Sequence, residues 1–238
     1  LGVIGVAIGT ALLPTLSRQV AGRQTEDALN SQNRAIEYAL LLTLPAAAAL
    51  SVISVPVVHV LFERGAFDSS ATATTASVLA AYSIGLPAFV LIKAFAPGYF
   101  ARKDTRTPVR AAMWALIANV VLNLVFMKPF GVVGIALASV VSSWLNVVLL
   151  AKGLHGAGYF RPDSLLRRRV PRIVFASVVM MVLLFAFSKG LAPWLGGEFG
   201  LRVVALFGLV LAGVCSFMVV ATVSGAMSWR ELKAILTR

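Results

Sequence analysis

Charge is what this sequence has least of. Asp, Glu, Lys and Arg make up 13% of its 238 residues, about half the share found in a soluble globular domain. A soluble domain of this length needs a polar surface around its core, and so few polar residues cannot supply one. Histidine is nearly absent too. His59 and His155 lie too far from each other, and from any carboxylate cluster, to suggest a metal site. The one cysteine, Cys215, excludes an intrachain disulfide and sits inside an apolar block, where it reads as a small helix-packing residue. No nucleophile–base pair and no phosphate-cradling glycine loop is present, so nothing argues for an enzyme, and no cofactor or metal is expected.

What is abundant is apolar: 59% of the residues, in blocks long enough to cross a bilayer, which takes about 20 residues of helix. The formal net charge of +12 would suggest a nucleic-acid partner in a soluble protein. Here the basic residues lie in short loops between the apolar blocks, so the surroundings are membrane lipids and no nucleic acid is expected. The fold class expected is an all-α integral membrane protein, a polytopic bundle of transmembrane helices. Six full spans are predicted at Ala35–Leu61, Ala76–Phe100, Val109–Met127, Val132–Ala151, Ile173–Leu191 and Leu201–Val223. The run Leu1–Pro14 is too short to span and lacks the basic start and cleavage site of a signal peptide. It reads as the second half of a helix that begins upstream.

Internal prolines at 45, 56, 87 and 97 fall in two consecutive spans and predict bent helices, which membrane helices tolerate as kinks. Loop charge sets the orientation. Arg102, Lys103, Arg106 and Arg110 outweigh Asp104 in one loop, and Lys152, Arg161, Arg167, Arg168, Arg169 and Arg172 outweigh Asp163 in another. Smaller positive excesses fall on the segment with Arg18, Arg23 and Arg34 and on the tail with Arg230, Lys233 and Arg238, while the alternating loops are nearly neutral. The basic loops and the C-terminus are therefore expected in the cytoplasm. Thr25 to Arg34 is read as a helix at the cytoplasmic surface. The Arg167–Arg169 run either enforces topology or meets anionic headgroups.

Ionisable residues within spans are functional candidates, because a charge in lipid is costly. Lys93 stands seven residues before Phe100, about 10 Å of helix from the end of its span. It either snorkels to the interface or charges a cavity in a helix bracketed by Pro87 and Pro97. Glu37 follows Arg34 by three residues, a spacing that makes a local salt bridge or places a carboxylate in a cavity. Asn119 and Asn123 share a face and, with Asn146, suggest interhelical hydrogen bonds. Gly131, Gly134, Ala136 and Ala138 allow close helix packing. Trp114, Trp144, Trp194 and Trp229 mostly lie near span ends, as interfacial anchors do.

Several stretches resemble one family. "GVAIGTALLPTLSR" at 5–18, "LTLPAAAAL" at 42–50, "LFERGAFD" at 61–68 and "YFARKDTRTPV" at 99–109 are similar, in order, to signature stretches of the MurJ (MviN) family of the MOP exporter superfamily. The resemblance implies a lipid II flippase of peptidoglycan biosynthesis in the bacterial inner membrane, built as two six-helix lobes plus two extra C-terminal helices. On that pattern residues 1–152 form a partial second lobe, 153–172 a basic cytoplasmic loop, and 173–238 the additional helix pair and tail. The missing first lobe would belong to the same protein. Lys93 and Arg34 would then be cavity charges facing the lipid pyrophosphate, with Glu37 as a partner or switch. Arg102, Lys103, Asp104 and Arg106 would form the cytoplasmic signature loop. Transport would be coupled to membrane potential or a cation. The other readings are an exporter of O-antigen units or drugs, a membrane-embedded transferase, or a scaffold of the cell-wall machinery.

Overall fold

The computed structural model describes residues 2–226, with side chains from Gly5 onward. Its helices are α1 (Gly2–Ala21), α2 (Thr25–Phe62), α3 (Ser69–Phe100), α4 (Arg106–Gly156), α5 (Ser164–Gly190), the one-turn α6 (Ala192–Leu195) and α7 (Phe199–Val223). No strand occurs among the described residues. Helices are the expected solution, since an apolar segment in lipid has to satisfy its backbone groups within itself. Five of them, α2, α3, α4, α5 and α7, are long and apolar enough to cross a membrane. Trp229 and the charged tail residues beyond it lie outside the described residues.

Helix α4 accounts for two of the six expected crossings. Its 51 residues are interrupted at Gly131, whose φ of 55° and ψ of −131° leave the helical region. Asn119 on the first leg donates through Nδ2 to Ser139 Oγ at 3.4 Å and Ser142 Oγ at 3.2 Å on the second. In an unbroken helix, residues 20 apart would be about 30 Å distant, so the chain doubles back at Pro129–Gly131. A Cβ on Gly134 would stand 2.2 Å from the Phe126 carbonyl oxygen, so only glycine admits the second leg this close to the first.

The proline expectation is met in part. Helix α2 departs from helical dihedrals at Ile53, three residues before Pro56, whereas no such break is found in α3 around Pro87 or Pro97. Helix α2 also begins earlier than its span. Thr25–Arg34, expected as a helix at the cytoplasmic surface, is helical and forms the first part of α2. Helix α5 likewise starts at Ser164, so Arg167–Arg169 stand near its N-terminal end and much of segment 153–172 is helical.

Two compact units emerge, one from the residues up to Thr43 with Gly85–Arg167, the other from Leu44–Ile84 with the described residues from Arg168 onward. The first packs Leu12, Leu16, Ala28 and Ala35 into a core, with Ile8, Val20 and Ala101 against it. Lipid tails are as apolar as these side chains, so close approach and polar links hold membrane helices together more than hydrophobic burial does. Accordingly Gln32 Nε2 donates to the Ala94 carbonyl at 2.7 Å, and the Tyr99 hydroxyl donates to the Leu150 carbonyl at 2.7 Å. Gly98 leaves room for Gln32, since a Cβ there would come within 2.9 Å of Gln32 Oε1. In the second unit Val60, Leu195 and Ala205 cluster, and Gly213 admits Leu184.

Four helix ends close in the same way. In each, one N–H bonds back three residues and the next N–H bonds back five, the Schellman arrangement. For α1 the pairs are Arg23 to Val20 and Gln24 to Gln19, and for α3 they are Lys103 to Phe100 and Asp104 to Tyr99. For α4 and α7 the corresponding pivots are Gly158 and Gly225. The pivot residue is left-handed in all four, with φ of 57° at Arg23, 61° at Lys103, 73° at Gly158 and 69° at Gly225. Glycine takes this conformation freely, but a residue with a side chain gives up about 1–2 kcal/mol there.

Candidate functional site

Lys93 sits on the exposed side of α3. Its stem lies across α1, where Gly5 and Gly9 form a Gly-x-x-x-Gly face. A Cβ on Gly5 would meet Lys93 Cδ at 2.9 Å and Nζ at 3.6 Å, and one on Gly9 would meet the Lys93 carbonyl oxygen at 3.3 Å. The two glycines thus allow the helices to approach and leave the lysine stem a shallow bed. Among the described residues Lys93 makes no hydrogen bond and no ion pair. An exposed ammonium on a membrane-crossing helix, without a partner among the described residues, is free to take an anionic one.

Arg34 and Glu37 stand in a different setting. The predicted pair forms: Arg34 Nη1 donates to Glu37 Oε2. Arg34 Nη2 also donates to Asp163 Oδ2, 129 residues later. The Glu37 side chain is 3% exposed and that of Arg34 28%. Asp163 meanwhile accepts the Leu166 N–H at 2.7 Å through its other oxygen, which caps the start of α5. Beside it, buried Asn33 donates to the Arg161 carbonyl at 2.9 Å. The guanidinium therefore already answers two carboxylates. It also forms one edge of an open groove of about 430 Å³ between α1 and α2, lined by Ile8, Leu12, Thr15, Ser31 and Tyr38 among others.

The signature loop divides its work. Arg102 folds back, donating to the Gly98 carbonyl at 2.7 Å and lying 4.1 Å above the Tyr159 ring. Asp104 Oδ1 accepts the N–H groups of Arg106 and Thr107, both at 3.0 Å, and so caps α4. Pro108 then falls in the first turn of α4, where a missing N–H is harmless. Lys103 and Arg106 are exposed. Two of the four side chains thus build the turn, and two present charge.

Hydrogen bonds from the Thr107 backbone and hydroxyl hold the Asp104 carboxyl below its ordinary range. A depressed carboxylate stabilises above its unfolded pKa, and that stabilisation is lost as pH falls through the folded one. We expect Asp104→Ala to cost about 1 kcal/mol at neutral pH, as loss of a cap does. Asp104→Asn should keep the cap and remove this part of the acid sensitivity below about pH 4. Melting of the three proteins at neutral and acid pH checks both; equal acid sensitivity in wild type and Asp104→Asn would count against the assignment.

Local reading of the sequence misses Asp163, Asn33 and Gln32. Their partners are 129, 128 and 62 residues away. The one available signal is that Gln32 and Asn33 immediately precede an apolar span.

A helix that breaks and returns, small-residue packing faces and five helices long and apolar enough to cross a membrane together define a multi-pass helical membrane protein. The comparisons narrow this further. A family model described as "Lipid II flippase MurJ" matches residues 1–205. A probable lipid II flippase MurJ of Rhizobium meliloti is 42% identical over the whole chain and 45% of its own length. A Vibrio cholerae relative of the same description is 37% identical over 98% of this chain and 44% of its own. A solved structure, "Lipid II flippase MurJ, inward closed conformation", superposes with a TM-score of 0.76 at 23% identity, covering 93% of this chain and 43% of that one. This chain belongs to the lipid II flippase MurJ family, and it spans about 45% of the length of the R. meliloti relative.

Proposed function

We propose that this chain supplies one half of a lipid II flippase of the bacterial inner membrane, with its basic loops and C-terminus in the cytoplasm. The family match over residues 1–205 carries the reading, and the setting of Lys93 supports it. Lipid II has a pyrophosphate, a disaccharide and a pentapeptide on a polyprenyl chain. Drawn through hydrocarbon unaided, that headgroup would leave many polar groups without partners. A cavity between two lobes takes the headgroup while the tail stays in the bilayer, and rocking of the lobes exposes it to either side. Lys93 is the cavity cation in this half, its ammonium meeting a pyrophosphate oxygen. Arg34 and Glu37 contribute as a neutralised pair at the groove edge, with Asp163 fixing the arginine. The substrate is bound and released without covalent change, so the chain is a transporter and not an enzyme.

The test is lipid II exposure. Cells depleted of their own flippase receive the intact protein, and an added enzyme that cleaves the pyrophosphate-linked headgroup reports what reaches the outer leaflet. Restored cleavage is the expected result. Full insertion into the membrane without restored cleavage would sink the reading and favour another lipid-linked sugar or a scaffold role.

A further inference from the structure

Four helix ends share one closing motif, and its left-handed pivot is glycine at α4 and α7 but basic at α1 and α3. Glycine is the residue that this pivot favours on backbone grounds, so Arg23 and Lys103 hold their places against a conformational cost. The helix dipole does not account for them. A basic side chain near a helix C-terminus gains from the dipole, but both helices already have one. Arg18 Nε donates to the Pro14 carbonyl at 3.4 Å, and Arg102 donates to the Gly98 carbonyl. Nor do protein partners account for them. Both residues are exposed, and neither makes an ion pair among the described residues. The exposed Glu26 and Asp27 occupy the first turn of α2, where they answer that helix's own positive end.

The two pivots also follow residues that pack against one core. Val20, three residues before Arg23, and Ala101, two residues before Lys103, pack against the same core of Leu12, Leu16, Ala28 and Ala35. The left-handed turns therefore flank one cluster, at the ends of helices that enter basic connecting segments. Strained backbone that persists where a cheaper residue exists points to a function for the side chain.

We propose that Arg23 and Lys103 form a two-point contact with phosphates of anionic phospholipids at the bilayer surface. The left-handed turn holds each cation beyond the end of its helix, at headgroup level, where it is exposed. Anionic leaflets attract such residues, and the attraction is short-ranged, so the side chain has to stand at the surface itself. The proposal concerns bulk lipid and does not depend on which substrate the protein carries.

The test compares melting of the intact protein in bilayers of phosphatidylcholine alone and of phosphatidylcholine with phosphatidylglycerol. In neutral bilayers Arg23→Gly/Lys103→Gly should melt higher than wild type, by about 1–2 °C for each position. Phosphatidylglycerol should raise the melting of wild type and have much less effect on the glycine variant. Lys152→Ala/Arg161→Ala, which removes two exposed charges from other positions, should keep most of the lipid response. Inorganic phosphate added to wild type in neutral bilayers should reproduce none of it. The proposal is overturned if the glycine variant gains as much from phosphatidylglycerol as wild type, or if it melts lower in neutral bilayers. It fails equally if the alanine variant loses the response to the same extent, or if free phosphate supplies it.

Discussion

Lys93→Ala in the intact protein is expected to lower lipid II exposure by about ten- to a hundredfold while leaving the amount of protein in the membrane unchanged. A hydrogen bond from a charged donor to a charged acceptor is worth about 1.5–3 kcal/mol, and each 1.4 kcal/mol is roughly a factor of ten. Folding should be spared, because the ammonium has no partner among the described residues to leave stranded and the side chain is exposed. The stem rests over Gly5, so alanine removes a surface contact and opens no core. Lys93→Gln should behave like alanine, since it keeps the length and loses the charge. Lys93→Arg should retain part of the activity, limited by the wider guanidinium beside Gly5. Wild-type exposure by the alanine variant would show that this lysine merely snorkels, and the search for the cation would move to other residues.

Much of the fold is legible in the sequence because hydrocarbon imposes a simple rule, that a long apolar run becomes a helix. The break at Pro129–Gly131 is legible for the same reason: the apolar pattern lapses around Lys128 and resumes at Val132. The Arg34–Glu37 pair follows from spacing on one helix face. The contacts that organise the candidate site have no local signature. Asp163 reads as one more charge in a basic loop, yet its two oxygens serve Arg34 and the start of α5. Gln32 and Asn33 read as polar surface, yet both are buried because α2 already starts at Thr25 and places them against carbonyls of Ala94 and Arg161. The left-handed backbone at Lys103 is hidden as well, since a helix end is sought by its glycine and none stands there.

Arg34→Ala should be the most damaging single change to stability, at about 3 kcal/mol, the low end for removing one partner of a buried pair. The low end applies because the arginine is partly exposed while the Glu37 side chain is almost wholly covered. The buried carboxylate loses its guanidinium, and Asp163 loses the same partner while still capping α5. The cost should therefore be recoverable. Arg34→Leu/Glu37→Leu removes these two charges and fills similar volume, leaving only the part-exposed Asp163 without its arginine, and apolar replacement of a buried pair is often neutral or stabilising. The double variant should regain most of the melting temperature lost by Arg34→Ala. Transport separates the remaining alternatives. If the pair serves the fold, the double variant restores lipid II exposure together with stability. If Glu37 acts as a switch during rocking of the lobes, stability returns and exposure does not. Equal stability of Arg34→Ala and wild type would mean that the arginine contributes nothing to the packing of α2 against the start of α5. The role proposed here for Asp163 in fixing it would then fail as well.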